Sequence, residues 1–150
     1  MPLALAACGF QPAYGPGGAA KALQGRVRVN DPNNKNAFDL VQRLEERLGR
    51  SDSPAYDLSY TINVRSMGVG VTADNSTTRY QLHGEVVWSL TARDGGARVT
   101  GGRVSNFASY SATGSTVAQL TANTDASLRL MRMLGDQIVT QLIATSGSLK

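Results

Sequence analysis

The stretch Leu58-Ser59-Tyr60-Thr61-Ile62-Asn63-Val64-Arg65 decides the fold. Apolar and polar residues alternate through it, the period of a strand with one buried face and one wet face. Leu58, Tyr60, Ile62 and Val64 are expected on the core side, with Ser59, Thr61, Asn63 and Arg65 opposite. The alternation returns downstream, with Tyr80, Leu82, Val86, Trp88 and Leu90 on one side and Gln81, His83, Glu85 and Ser89 on the other. Asp94-Gly95-Gly96 has hairpin chemistry, and Arg98 to Tyr110 reads as the returning strand. Gly101-Gly102 interrupts its alternation and predicts a bulge there. These strands form an antiparallel meander.

Between the first two of them, Val69 and Val71 fall out of phase with Leu58, Tyr60, Ile62 and Val64. The strand therefore either bulges near Gly68 or extends a tip whose apolar side faces away from the core. Such a tip carries Asp74-Asn75-Ser76 at its turn and Arg65 and Arg79 near its base.

Upstream, Gly25-Arg26-Val27-Arg28-Val29-Asn30 reads as a short strand with Val27 and Val29 inward, ended by the turn Asp31-Pro32-Asn33-Asn34. Asn36 then precedes a helical run, with Asp39 near its positive end. Ala37, Val41, Leu44 and Leu48 form its apolar face, Phe38 and Leu40 widen that face, and Gly49 closes the helix as a left-handed cap. Arg43, Glu45, Glu46, Arg47 and Arg50 read as a solvated face. Downstream, Ser115 can cap a long last helix whose stripe is Val117, Leu120, Leu128, Met131, Leu134, Ile138 and Leu142, with Met131 and Met133 as core filler. The expected fold is α+β, a two-layer sandwich in β-α-β-β-β-α order with a mostly antiparallel sheet packed against two helices.

A chain of 150 residues suits one domain with a sizeable core. Ahead of it, Leu5-Ala6-Ala7-Cys8 has the pattern of a bacterial lipobox: an apolar, small-residue run before the only cysteine. Cleavage before Cys8 would free an amine beside a thiol, and two or more acyl chains on these groups anchor a protein stably. Gly9 follows the cysteine, with no Asp to suggest inner-membrane retention, so the outer membrane is expected. The expected organisation is a signal-peptide remnant at 1–7, a lipidated Gly/Pro/Ala tether at 8–24, one α+β domain at 25–145 and a frayed tail at 146–150. Apart from the N-acyl and S-diacylglycerol lipid on Cys8, no cofactor is expected.

The net charge of +4 favours anionic partners. No run of Lys and Arg interleaved with aromatics occurs, so nucleic acid is not expected among them. His83 is the only histidine, and with Cys8 acylated there is no thiol to join it in a metal site or a nucleophilic pair. Asp125 and Asp136 share roughly one helix face without converging partners. No catalytic or metal-binding residue is assigned, and a non-enzymatic role is expected.

The lipobox runs directly into Gly9-Phe10-Gln11-Pro12-Ala13-Tyr14-Gly15, which resembles the mature start of alphaproteobacterial lipopolysaccharide-assembly lipoproteins of the LptE family. The resemblance continues through the element order, Thr78-Arg79-Tyr80, Asp125-Ala126 and Asp136-Gln137-Ile138. It implies a lipoprotein on the periplasmic side of the outer membrane that plugs the lumen of the β-barrel LptD, helps that barrel assemble, and binds lipopolysaccharide on its way to the outer leaflet. A polar sheet face suits a water-lined barrel. Under this reading Arg65 and Arg79 meet anionic headgroups, and Val69, Val71 and Tyr80 contact the barrel. The alternatives are a structural or accessory envelope lipoprotein of another transport system, and a periplasmic hydrolase using Glu85 or Asp74 with His83, which lacks a third group.

Overall fold

The computed structural model describes Gly15 and residues 18–146. Along the chain lie α1 (Ala19–Leu23), β1 (Val27–Val29), α2 (Lys35–Leu48), β2 (Tyr56–Val71), β3 (Thr77–Ala92), β4 (Arg98–Ser111) and α3 (Thr116–Ser146). The strands form one four-stranded sheet in the order β1-β2-β3-β4. β1 runs parallel to β2, and the other neighbours are antiparallel. A parallel pair needs a crossover, and α2 provides it. The α+β fold and its expected element order are present, with α1 added in front.

Strand alternation sets the two faces. Leu58, Leu82, Val86, Trp88, Leu90, Val104 and Ala108 are buried on the inner face. They meet Leu40, Leu44 and Leu48 of α2 and Leu130, Leu134, Ile138 and Leu142 of α3 in one core. Two glycines let α3 come close. At Gly84 a Cβ would lie 2.9 Å from Leu134 Cδ1 and 3.0 Å from Leu130 Cδ2. At Gly102, opposite Trp88, a Cβ would lie 2.7 Å from Gln141 Oε1. That oxygen accepts a 3.0 Å hydrogen bond from the Trp88 indole Nε1–H, so the buried ring keeps its polar partner.

The structure corrects several local expectations. Gly101 and Gly102 are paired in regular register with Ser89 and Trp88, and the irregularity in β4 lies between the partners of Leu90 and Thr91. These glycines clear space for a side chain rather than bend the strand. Asn34, not Asn36, caps α2, its Oδ1 accepting the Ala37 N–H at 2.9 Å. Asp39 lies inside the helix, buried, with Lys35 Nζ at 2.8 Å. Phe38 does not widen the core face: it is 56% exposed on the flank while Ala37, Leu40 and Val41 turn inward. Arg43 and Arg47 are not simply solvated, because both reach Asp136 on α3, at 3.0 and 2.7 Å.

The last helix differs most. Ser115 Oγ does cap it, accepting the Ala118 N–H at 3.2 Å, yet Val117 and Leu120 are 74% and 68% exposed. Burial starts at Ala126. Arg129 already lies beside Ser109, near the end of β4, so the turns before it run beyond that strand. At the other end Ser146 is buried in the final turn rather than frayed. The tether expected over 8–24 is likewise replaced over its last part by α1, where Ala20 and Leu23 are buried. Cys8 and the rest of the lipobox lie outside the described residues.

Candidate ligand and partner surface at the hairpin tip

The outer face of the sheet is left uncovered by the helices and carries the polar half of each strand. Arg65 is exposed there, opposite His83, and Arg79 lies on the same face further along β3, opposite Ser111. Arg103, also on this face, pairs with Glu85 at 3.3 Å. Arg65 and Arg79 have no ion-pair partner among the described residues. Exposed, unpaired and of one sign, they can take a phosphate or carboxylate without breaking an existing bond. Arg65 also lines a shallow depression of about 500 Å³ with Asn63, His83, Glu85, Ser105 and Phe107.

Beyond these arginines the β2–β3 hairpin projects. The bulge expected near Gly68 is present, with register shifts between Gly68 and Gly70 and between Gly70 and Val71. Asn75 makes the turn at φ 62°, a left-handed conformation that Asn tolerates. Val69 is exposed, and Val71 is 62% exposed. Tyr80 differs from them: its ring stacks on Tyr110 with centroids 5.5 Å apart, on the inner side of the sheet, and it is half-buried. The valines thus occupy the projecting end, Arg79 lies at its root and Arg65 lower on the sheet face, while Tyr80 braces its base.

The exposed apolar residues of α3 extend the same end. The Ala112 N–H donates to Thr78 O at 2.8 Å, which places the start of α3 beside the root of the hairpin. Met67, Val69 and Val71 on the hairpin and Val117 and Leu120 on α3 therefore lie at one pole of the molecule, all exposed. The helical period of Val117 and Leu120 predicts burial, and only the mismatch between helix and strand lengths reveals otherwise.

Asp74 apart, the residues weighed for catalysis are engaged elsewhere. His83 is within 3.2 Å of Gln81 Oε1 and stacks on Phe107 at 5.7 Å, while Glu85 holds Arg103. Asp125 pairs with Arg129 at 2.9 Å, and Asp136 with Arg43 and Arg47; hydrogen bonding to Asp136 and then to Glu46 raises the Arg43 pKa above its ordinary value. Among the described residues no His, Cys, Asp and Glu cluster could hold a metal ion. Among the same residues no helix is long and apolar enough to cross a membrane.

A family model described as lipopolysaccharide-assembly, LptE, matches residues 25–142. The chain belongs to the LptE family. This makes it a lipopolysaccharide-assembly protein rather than an enzyme. Solved structures share the fold. A lipoprotein from Caulobacter crescentus CB15 superposes with a TM-score of 0.73 at 21% identity, covering 86% of this chain and 96% of that one. Rare lipoprotein B from Shewanella oneidensis gives 0.63 at 12% identity, covering 83% and 96%. A minor lipoprotein from Acinetobacter baumannii gives 0.55 at 16% identity, covering 79% and 89%. No curated protein sequence matches the chain significantly.

Proposed function

We propose that the protein is an outer-membrane lipoprotein, acylated at Cys8 and facing the periplasm. It seats in the lumen of the β-barrel LptD, helps that barrel assemble, and binds lipopolysaccharide during delivery to the outer leaflet. The observation that carries this reading is the sheet face leading to the projecting pole: Arg65 and Arg79 on that face have no ion-pair partner among the described residues, and exposed Val69 and Val71 lie beyond them on the hairpin. An amphipathic ligand needs this pairing of chemistries, cations for its phosphates and apolar side chains for its acyl chains. Family membership supports the lipopolysaccharide role, and the matched structures from three bacteria are themselves named lipoproteins.

The uncovered sheet face supports the barrel partnership, since a polar face can meet a water-lined lumen without desolvating charge. The test is purification from membranes of the chain behind a complete signal peptide, followed by mass analysis of its N-terminus and of co-purifying proteins. Acyl chains on Cys8 and a co-purifying large barrel are expected. A soluble product unchanged by Cys8→Ser, or a lipidated product that retains no barrel, contradicts the anchor or the partnership respectively.

A further inference from the structure

We infer that the free edge of the sheet, β4, receives an extended acidic segment of a partner polypeptide as an added antiparallel strand centred on Ser105. Even-numbered residues of β4 face β3, as the Ala112 N–H bond to Thr78 O shows, so the odd-numbered ones turn their amide groups outward. Three of those outward groups are occupied. Gln141 Nε2 donates to Arg103 O at 3.3 Å, Arg129 donates to Ser109 O at 3.2 Å, and the Phe107 N–H donates to Asn106 Oδ1 at 2.8 Å. Edge strands are commonly blunted in this way against uncontrolled pairing. Between the caps a window stays open. The N–H and C=O of Ser105, the N–H of Arg103 and the C=O of Phe107 have no partner among the described residues.

Those open groups have the spacing an antiparallel strand uses. A residue opposite Ser105 exchanges both bonds with it. The residues two before and two after that one donate to Phe107 O and accept from the Arg103 N–H, and no cap has to move. The intervening side chains of the added strand point to the inner side, where a cleft of about 440 Å³ lies between β4 and α3, lined by Val104, Ser105, Gln137, Thr140, Gln141 and by Asp136, whose carboxylate is already held by Arg43 and Arg47, so neutral polar side chains suit these positions. Gln137, which lines this cleft, has its Oε1 buried with no hydrogen-bond partner, so a side-chain amide or hydroxyl of the incoming strand gains an acceptor when the Gln137 amide turns toward it. On the outer side, Phe107 is exposed and wants an apolar residue across from it.

Charge selects the partner over a second copy. Arg129 is paired with Asp125, but Arg98 has no ion-pair partner among the described residues, and Arg103 gives only Nη1 to Glu85 and keeps donors for a second carboxylate; with the chain at +4 overall, copies repel while an acidic residue opposite Arg103 is attracted. The site shares Ser105 and Phe107 with the depression beside Arg65, but the inference does not rest on the lipopolysaccharide reading, since it uses neither the tip nor the lipid.

The probe is the capped peptide acetyl-Thr-Val-Asn-Thr-Gln-Glu-Thr-amide, whose central Thr faces Ser105, whose Val faces Phe107 and whose Glu faces Arg103. It is titrated to about millimolar concentration, the range expected of a short strand held by backbone bonds, against the isotope-labelled protein by NMR. Shifts should be confined to the amides from Arg103 to Ser109 and the side-chain amides of Gln137 and Gln141. N-methylation of the central Thr should weaken binding about tenfold or more, as should Ser105→Pro, which removes an outward N–H and no ladder bond. The protein spectrum shows whether that variant folds, and the methylated peptide decides alone if it does not. No shift at Ser105, or binding indifferent to the methyl group, overturns the inference. So does a Ser105 shift that depends on protein concentration without peptide, which would make a second copy the occupant.

Discussion

Trp88→Ala removes the largest fully buried side chain of the core, 2% exposed and seated between the sheet and α3. A large-to-small change of this kind costs about 3–5 kcal/mol when the surroundings cannot collapse. Collapse is hindered here because Gly102, directly opposite, offers no side chain to fill the space, and Gln141 is held in place by its second bond to Arg103 O. The change also removes the indole donor that Gln141 Oε1 accepts. For a chain of 150 residues this should lower the melting temperature by roughly 10 °C or more. Trp88→Phe separates the contributions: it keeps most of the apolar area and loses the N–H, for about 1–2 kcal/mol. Urea unfolding followed by circular dichroism measures both. A loss under about 1 kcal/mol for Trp88→Ala would mean that the inner-face register of β3 is wrong.

Asp136→Ala should destabilise by about 1–2 kcal/mol, since it strips Arg43 and Arg47 of a shared, partly exposed carboxylate; a double-mutant cycle with Arg43→Ala that returns no coupling refutes the pairing. Burial first, and then the Asp31 charge, raises the Tyr60 pKa above its ordinary value of 10.0. The folded state therefore holds that proton longer, so its contribution is complete below pH 10 and declines as pH rises through the folded value; stability in Tyr60→Phe should fall less steeply over that alkaline range. Val69→Asp with Val71→Asp should leave unfolding within about 0.5 kcal/mol of the parent while reducing co-purification of the barrel, and a gross loss of stability would place these valines in the core.

The sheet was legible in the sequence because period-two patterning is local: Leu58 and Leu82 to Leu90 each report their own face. The out-of-phase Val69 likewise announced its bulge. Features that depend on what arrives from elsewhere in the chain were not legible. Gly102 looks like a strand breaker until Trp88 and Gln141 are seen to occupy the space above it. Val117 and Leu120 repeat at helical spacing like their buried successors, but α3 outruns β4, so the same pattern lies exposed. Asp136 finds its partners on α2, remote in sequence. Arg65 and Arg79 could be picked out as basic residues near a tip. That both lack a carboxylate partner among the described residues while Arg103 has one required the register of β2, β3 and β4.

The projecting pole is tested most directly by lipopolysaccharide binding to the parent, to Arg65→Glu with Arg79→Glu, and to Arg103→Glu, each first confirmed as folded by its thermal melt. Exposed charges contribute about 1 kcal/mol or less to stability, so all three should melt within a few degrees of one another. The double reversal should weaken binding at least tenfold and flatten its salt dependence, while the Arg103 variant, whose guanidinium is already engaged by Glu85, should change little. Equal binding by the double reversal and the parent, or a larger loss in Arg103→Glu, would contradict the assignment of the tip as the lipopolysaccharide surface.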